Sequence, residues 1–339
     1  MNNSTETLLA ARTSLLYRGN ALFQISICIL TLYFSGKAFK VLYRRSVFHI
    51  STHQLLFMSI VYADFHAISY GFLQAISLYR SVVFYDDPVM IMFTGYECYA
   101  ITWTVGAAKM LMSFIQTALT IERIIDRIIP LVPKLKPFKR QGLFLNAFAL
   151  TAGISTTIYS YSEGPTGYKL ASCFMQKDIP LDRVLYTLGM YFALSLLCLL
   201  ANLTIIFSIF KSSKKSFNLK IRFNFQEVKN SSFAVSLISV FQFVAMTAYV
   251  ASSLIVIYYR RDIPHEYFHN IILCIYTIPY GGLCLPLSVI YCTKWISDHR
   301  KIQIVQMTNT NRTETMDGRM SQLKNAWDSL APSTPTKKY

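Results

Sequence analysis

Two ionisable side chains lie alone inside long apolar stretches of the sequence. Asp64 falls within the stretch 52–78, and Lys109 falls within the stretch 98–121. A charge in a nonpolar environment is costly unless it pairs with an opposite charge or faces a cavity. Asp64 and Lys109 are therefore expected to form a buried ion pair between neighbouring helices, with the alternative that Lys109 contacts an anionic group of a ligand.

The stretch that contains Lys109 has further candidate residues at both ends. Cys98 begins it, the pair Glu122-Arg123 follows its last residue, and Arg123 lies 25 positions beyond Cys98. A helix of that length extends roughly 37 Å, so the cysteine and the Glu-Arg pair are predicted to lie at opposite faces of a membrane. Glu122 and Arg123 can form an ion pair that opens on activation, whereas the simpler alternative is ordinary juxtamembrane charge.

Prolines and aromatic residues complete the set of candidates. Pro279 and Pro286 flank a Gly-Gly pair in the last apolar stretch, and each is expected to kink the helix by removing a backbone hydrogen bond. Such a kink either serves a conformational switch or is a static feature. Aromatic side chains in the outer halves of the apolar stretches are candidates for lining a small-molecule pocket. They are Tyr99, Trp103, Tyr186, Tyr191, Tyr249 and Tyr276.

These residues must be positioned by helices that are long enough to cross a bilayer. About 20 mainly apolar residues are needed, because a helix rises about 1.5 Å per residue and the hydrocarbon core is about 30 Å thick. Seven stretches qualify, which predicts an all-α bundle of seven transmembrane helices. They are 19–41, 52–78, 98–121, 142–161, 184–210, 232–259 and 267–292.

Three further segments lie outside the spans. Residues 1–18 are predicted to form an extracellular N-terminal segment. Residues 293–307 have the spacing of an amphipathic helix on the membrane surface. Residues 308–339 have a polar composition that is typical of a flexible cytoplasmic tail.

The distribution of basic residues indicates the orientation. The end of the first span, the connections after the first, third and fifth spans, and the C-terminal segment carry 24 of the 33 Lys and Arg residues. The opposite side carries 8, and Lys109 lies within a span. Because basic residues concentrate in cytoplasmic loops, the N-terminus is predicted to be extracellular, in agreement with glycosylation sequons at Asn2 and Asn3. Cys98 and Cys173 then both face an oxidising compartment and are predicted to form a disulfide, the alternative being two free thiols.

Composition narrows the function classes. Charged residues make up 15% of the chain, against about 25% in a typical soluble domain. The net charge of +16 is explained by the basic loops and their attraction to anionic lipids, so no nucleic-acid partner is expected. The seven cysteines include no CxxC pair, and neither a metal nor another cofactor is expected.

Seven spans, the Cys98–Cys173 pair, Glu122-Arg123 and a proline-containing seventh helix together resemble G-protein-coupled receptors. The finer pattern resembles the nematode serpentine chemoreceptors of the Sra superfamily, of the alpha or alpha/beta class. The similar stretches are ALTIER (118–123), RFNFQEV (222–228) and IPYGGLCLPL (278–287). The resemblance covers about residues 20–307.

The resemblance implies a chemosensory receptor for an odorant-like or pheromone-like small molecule that activates a heterotrimeric G protein. It also implies a location in the plasma membrane, in the cilia of sensory neurons, and leaves homo- or hetero-oligomers open. Two positions differ from rhodopsin-like receptors, because Ile124 follows Arg123 where those have an aromatic residue and Leu285 precedes Pro286 where those have Asn. The activation switches are therefore expected to differ.

Two other classes of protein serve as alternatives. A subunit of a ligand-gated cation channel, like the seven-helix insect odorant receptors, would have its N-terminus inside the cell, contrary to the distribution of basic residues. A membrane enzyme would need paired catalytic groups within its spans, and Asp64 has no partner acid there. The protein is therefore not expected to be an enzyme.

Overall fold

A computed structural model describes residues 9–44, 48–128, 140–162, 169–170, 173, 181–211, 219–259, 262–313, 320–321 and 324. Most of these residues are helical. The helices are α1 (Leu15–Arg44), α2 (Ile50–Val83), α3 (Gly95–Ile128), α4 (Gln141–Ser160), α5 (Leu181–Lys211), α6 (Leu219–Tyr258), α7 (His265–Ile275) and α8 (Ile278–Thr313). Asn2 and Asn3, and the basic segments 129–139 and 212–218, lie outside the described residues.

The predicted seven-helix membrane bundle is confirmed. Within the described residues, seven helical segments are long and apolar enough to cross a membrane. Six of them lie in α1 to α6, and the seventh, Ile271–His299, is shared by α7 and α8. Large apolar side chains such as Leu197, Phe207 and Tyr291 are exposed on the bundle, as expected where lipid is the solvent.

Helix α3 lies at the centre of the bundle, because it packs against α2, α4, α5 and α6. It is also the most buried of the candidate spans, with 61% of its most apolar window buried. A residue on α3 can therefore contact several other helices, which makes this helix the natural place for a site.

Glycine permits a close approach between α2 and α4. A Cβ atom placed on Gly142 would lie 2.7 Å from Gln54 Oε1 and 3.0 Å from the backbone of Ser51. Separations of this size are below normal contact distances, so only glycine fits here. The contact fixes the start of α2 beside the start of α4.

The seventh span is interrupted, where the sequence predicted only a kink. Helix α7 ends at Ile275, and α8 begins at Ile278, with Pro279 in its first turn and Pro286 in its interior. Proline fits the first turn of a helix, and the residue before proline avoids helical geometry, which favours a break upstream of Pro279. The two linking residues, Tyr276 and Thr277, have inward contacts instead, since Thr277 Oγ1 donates to the Ala245 carbonyl at 2.7 Å.

A disulfide and two very short strands close one end of the bundle, here called the disulfide end. The predicted bond joins Cys98 at the start of α3 to Cys173, with the Cα atoms 4.8 Å apart. Strand β1 (Phe93–Thr94) pairs antiparallel with β2 (Lys169–Leu170). These strands are not predictable from the sequence, because two residues carry no periodic signal.

Arginine side chains complete the packing of the disulfide end. The Arg12 guanidinium is 1% exposed, lies 5.0 Å from the Phe93 ring centroid and donates to the Tyr17 hydroxyl at 3.2 Å. Arg80 lies 4.5 Å from the same ring and forms an ion pair with Glu97 at 2.7 Å. The two guanidinium groups thus form cation–π contacts with one buried ring.

The chain divides into two compact units, Met1–Thr293 and Lys294–Tyr339. In the second unit the helix continues to Thr313, with Trp295 packed on His299 at a ring-centroid distance of 4.3 Å. Its location on a membrane surface, and the flexible tail beyond residue 307, stay predictions.

Candidate functional site

A cationic aromatic cluster lies in the interior of the bundle, near the disulfide end. The Lys109 ammonium lies 4.7 Å from the ring centroid of Tyr191 and 5.1 Å from that of Tyr249. These rings come from α5 and α6, so one α3 side chain joins three helices. We call this cluster the Lys109 site, and it consists of His66, Tyr70, Lys109, Tyr191, Tyr249 and Tyr276.

The break in the seventh span places Tyr276 in this site. Its ring lies edge-on to Tyr249 at 5.5 Å and packs on Tyr70 at 4.8 Å. Its hydroxyl lies 2.8 Å from His66 Nε2, within hydrogen-bonding distance. The unwound residue therefore connects α2, α6 and the seventh span.

Tyr161, just beyond the end of α4, lies on another side of the same cluster. Its ring packs against Gly106 of α3, where a Cβ atom would lie 2.7 Å from the ring. Tyr161 also lies near Tyr191 and Tyr249.

The predicted ion pair between Asp64 and Lys109 is not formed. Asp64 lies beside Ser35 of α1, whereas Lys109 faces α5 and α6. The two residues were matched by their depth along the helices, and depth does not determine which face of a helix a side chain occupies. Among the described residues no ion pair includes either of them.

The six aromatic candidates have different outcomes. Tyr191, Tyr249 and Tyr276 come together around Lys109. Tyr99 instead donates its hydroxyl to the Tyr161 carbonyl at 3.0 Å. Tyr186 is 61% exposed and contacts Tyr159 on the surface, so it does not join the tyrosines around Lys109.

Trp103, the sixth candidate, is half-buried on α3. A pocket role for this side chain stays a prediction.

A small cavity with room for about one water molecule adjoins the Lys109 site. It shares Met246 and Ile278 with the apolar cluster around Tyr191 and Tyr276. Its lining includes Gln116 and Gln242, and within the described structure neither Gln116 Nε2 nor Gln242 Oε1 has a hydrogen-bond partner. The cavity is lined mainly by apolar side chains, but its two unpaired amide groups can hydrogen-bond a single water molecule.

Asn202 of α5 connects three helices, about one turn of α3 beyond the cavity residue Gln116. Its Nδ2 lies 3.0 Å from Thr120 Oγ1 of α3, 3.0 Å from Ser239 Oγ of α6 and 2.8 Å from the Cys198 carbonyl. Asn202 is 1% exposed. Asn202 was not among the candidate residues predicted from the sequence, although an amide within an apolar stretch often indicates a hydrogen bond between helices.

The predicted ion pair at the other end of α3, here called the Arg123 end, is present and buried. Arg123 Nε donates to Glu122 Oε2 at 2.7 Å, and the two side chains are 2% and 0% exposed. Thr52 of α2 donates to Glu122 Oε1 at 2.8 Å and accepts a hydrogen bond from Arg123. Asp126 lies 3.2 Å from Arg123. We call Thr52, Glu122, Arg123 and Asp126 the Arg123 cluster.

Two carboxylates of the Arg123 cluster, together with His49, form a group of possible metal ligands. The ligand atoms of His49, Glu122 and Asp126 lie within 4.8 Å of one another. Arg123 forms ion pairs with both carboxylates. The guanidinium therefore supplies the positive charge that a cation would bring, and the group is explained as an ion-pair network.

These features define the class of protein: a multi-pass membrane protein with a seven-helix bundle, a cationic aromatic site in its interior and a buried arginine cluster at one end. A family model for the serpentine type seven-transmembrane GPCR chemoreceptor Sra matches residues 1–327. The chain belongs to this family of chemoreceptors, which is not a class of enzymes.

Relatives of the alpha class are similar over nearly their whole length. Serpentine receptor class alpha-33 of Caenorhabditis elegans is 29% identical over 92% of this chain and 94% of its own. Serpentine receptor class alpha-10 of Caenorhabditis briggsae is 27% identical, over 96% and 97%. Serpentine receptor class alpha-32 of Caenorhabditis elegans is 28% identical, over 96% of each chain. These names favour the alpha class of the two classes that the sequence left open.

Proposed function

We propose that this protein is a chemosensory receptor of the plasma membrane that binds a small extracellular molecule at the Lys109 site and activates a heterotrimeric G protein at the Arg123 end. The observation that carries the proposal is the burial of Arg123, whose guanidinium is held by side chains of its own helix and by Thr52 of α2. A buried ion pair of this kind stabilises one conformation, and a ligand can shift the equilibrium to another.

The proposed route between the two ends follows α3. Lys109 contacts α5 and α6, Gln116 lines the small cavity, and Thr120 contacts Asn202. A ligand that displaces Tyr191, Tyr249 or Tyr276 changes the packing of α5, α6 and α8 against α3. That change is proposed to separate the helices at the Arg123 end and to expose Arg123 to the G protein.

The orientation belongs to the same proposal. We propose that the disulfide end lies outside the cell and the Arg123 end in the cytoplasm, because the segments 129–139 and 212–218 contain five lysines and no acidic residue. A disulfide at the opposite end agrees with an oxidising exterior. Sensory cilia are the proposed location.

The first test is Glu122→Gln. This change removes the carboxylate charge while it keeps the size of the side chain, so the closed conformation loses its ion pair with Arg123. We expect basal nucleotide exchange on a co-expressed G protein to rise about fivefold or more, measured in membranes with a panel of Gα subtypes.

Glu97→Gln is the matched control, because Glu97 forms an ion pair with Arg80 at the disulfide end. It should leave basal exchange unchanged. Equal exchange in Glu122→Gln and in the unmodified receptor, at equal surface expression, would count against a closed state maintained by the Arg123 cluster.

A further inference from the structure

The charge of Lys109 has no counter-charge in the described structure. Its ammonium contacts the faces of two tyrosine rings and has no hydrogen-bond or ion-pair partner there. Two acids at the spans lie elsewhere, since Asp64 is beside Ser35 of α1 and Glu122 pairs with Arg123. Charged side chains within membrane spans usually pair with an opposite charge or face a water-filled cavity, so this lysine lacks an anion that would balance its charge.

Two buried side chains of the Lys109 site have a hydrogen-bonding atom without a partner among the described residues. The Tyr191 hydroxyl is fully buried and has no hydrogen-bond partner within the described residues. His66 is also fully buried, and its Nδ1 has no partner there either. A buried polar group without a partner costs free energy, and an anion beside Lys109 would supply an acceptor for the Tyr191 hydroxyl.

The aromatic rings argue against a cationic ligand. Tyrosine faces commonly bind ammonium groups, but here the protein's own lysine occupies the faces of Tyr191 and Tyr249. A ligand amine would lose those faces and would meet a like charge. The remaining surface near Tyr191 is apolar, with Val105, Met246 and Ile278 in the same cluster.

We infer that the Lys109 site binds a small organic anion, a carboxylate with an apolar or aromatic body, and discriminates against amines of the same shape. This inference rests on the proposed function and names the class of its ligand. The carboxylate accepts hydrogen bonds from the Lys109 ammonium and the Tyr191 hydroxyl, while the body of the ligand packs among the tyrosine rings.

The test uses the purified full-length receptor in detergent. Thermal unfolding is followed by intrinsic tryptophan fluorescence with hexanoate, octanoate, benzoate and phenylacetate, and with the primary amide and primary amine of each skeleton. We expect the carboxylates to raise the unfolding temperature in a saturable way, with an apparent affinity about tenfold or more above that of the matched amides. Amines should give no saturable shift.

Variants then connect the effect to the site. Lys109→Gln should weaken carboxylate binding about 10- to 100-fold, as expected for the loss of a charge-assisted hydrogen bond. Lys109→Arg should stay within about tenfold of the unmodified receptor, because it keeps the charge with a different geometry. Tyr191→Phe, which keeps the ring and removes the hydroxyl, should weaken the carboxylates more than the amides.

Lys37→Gln is the matched control. Lys37 lies over the ring of Tyr33 at 4.3 Å, but on the exposed face of α1, and its loss should leave binding unchanged. The inference is overturned if amides bind as well as acids, if no acid gives a saturable shift, or if Lys109→Gln binds acids as the unmodified receptor does.

Basal nucleotide exchange on the same preparation separates this inference from the proposed function. Carboxylate binding without any exchange on the Gα panel would support the ligand class and contradict the proposed coupling. Nucleotide exchange by a receptor that binds amides as well as carboxylates would support the proposed G-protein coupling and overturn the proposed ligand class.

Discussion

At the scale of single residues, polar side chains in the interior of the bundle each connect particular helices. Lys109 connects α3 with α5 and α6 through aromatic rings. Thr52 connects α2 with the Glu122–Arg123 pair. Where no water is present to compete, such contacts select one packing of the helices over others.

Asn202 provides a prediction at this scale. Asn202→Ala removes the contacts with Thr120 and Ser239, and we expect it to lower the free energy of unfolding by about 0.6–1.7 kcal/mol, the range of interhelical hydrogen bonds in membranes. Thermal unfolding in detergent measures the change. Asn20→Ala is the control, because among the described residues the one hydrogen bond of the Asn20 amide is a long contact with Cys274 Sγ, at 3.4 Å. An equal loss of unfolding free energy in both variants would contradict a stabilising role of the Asn202 hydrogen bonds.

At the scale of elements, the interruption between α7 and α8 matters most for the site. An unbroken helix would keep the backbone groups of Tyr276 and Thr277 bonded within the span. The break instead lets the Tyr276 hydroxyl reach His66 and lets Thr277 donate to α6. Irregular backbone within a membrane protein is tolerated where it is buried among neighbouring helices.

Gly142 provides the prediction at this scale. Gly142→Ala places a Cβ atom 3.0 Å from the backbone of Ser51, which precedes Thr52 of the Arg123 cluster. We expect α2 to shift away from α4, with a loss of about 1–3 kcal/mol in the free energy of unfolding and a rise in basal nucleotide exchange as Thr52 moves. Both are measured on the purified receptor.

Gly189→Ala is the matched control, because nothing lies within 4 Å of a Cβ atom at Gly189. Its stability should change by less than about 0.5 kcal/mol. If Gly142→Ala changes stability without changing nucleotide exchange, the position of α2 does not control the Arg123 cluster.

At the scale of the whole molecule, the seven apolar spans determine that the chain lies in a membrane, and the basic residues determine its proposed orientation. An N-terminal epitope tag is therefore expected to stain on intact cells. Glycosidase should lower the apparent mass of the receptor, and the double variant Asn2→Gln/Asn3→Gln should lose that change while the tag stays exposed.

Staining only after permeabilisation, with an exposed C-terminus, would contradict the orientation and would favour the ligand-gated channel as the alternative. Sequons at Asn202 and Asn311 act as internal controls. Asn202 is buried among α3, α5 and α6, and Asn311 is predicted to be cytoplasmic. Neither is expected to carry sugar.

The sequence by itself determined the class of fold, the spans and the two ends of α3. Length and apolar composition suffice for this, because a bilayer has one thickness and a helix has one rise per residue. The Cys98–Cys173 bond and the Glu122–Arg123 pair were also predictable, since each depends on which end of a span a residue occupies and not on the face it presents.

The tertiary structure alone decided which side chains meet. It separated Asp64 from Lys109, brought Tyr191, Tyr249 and Tyr276 to the lysine, and left Tyr186 on the surface. Rotation of each helix about its axis, and the break before Pro279, set these contacts. In spans that are apolar on every face, the sequence pattern does not fix that rotation, because lipid and protein interior are both nonpolar.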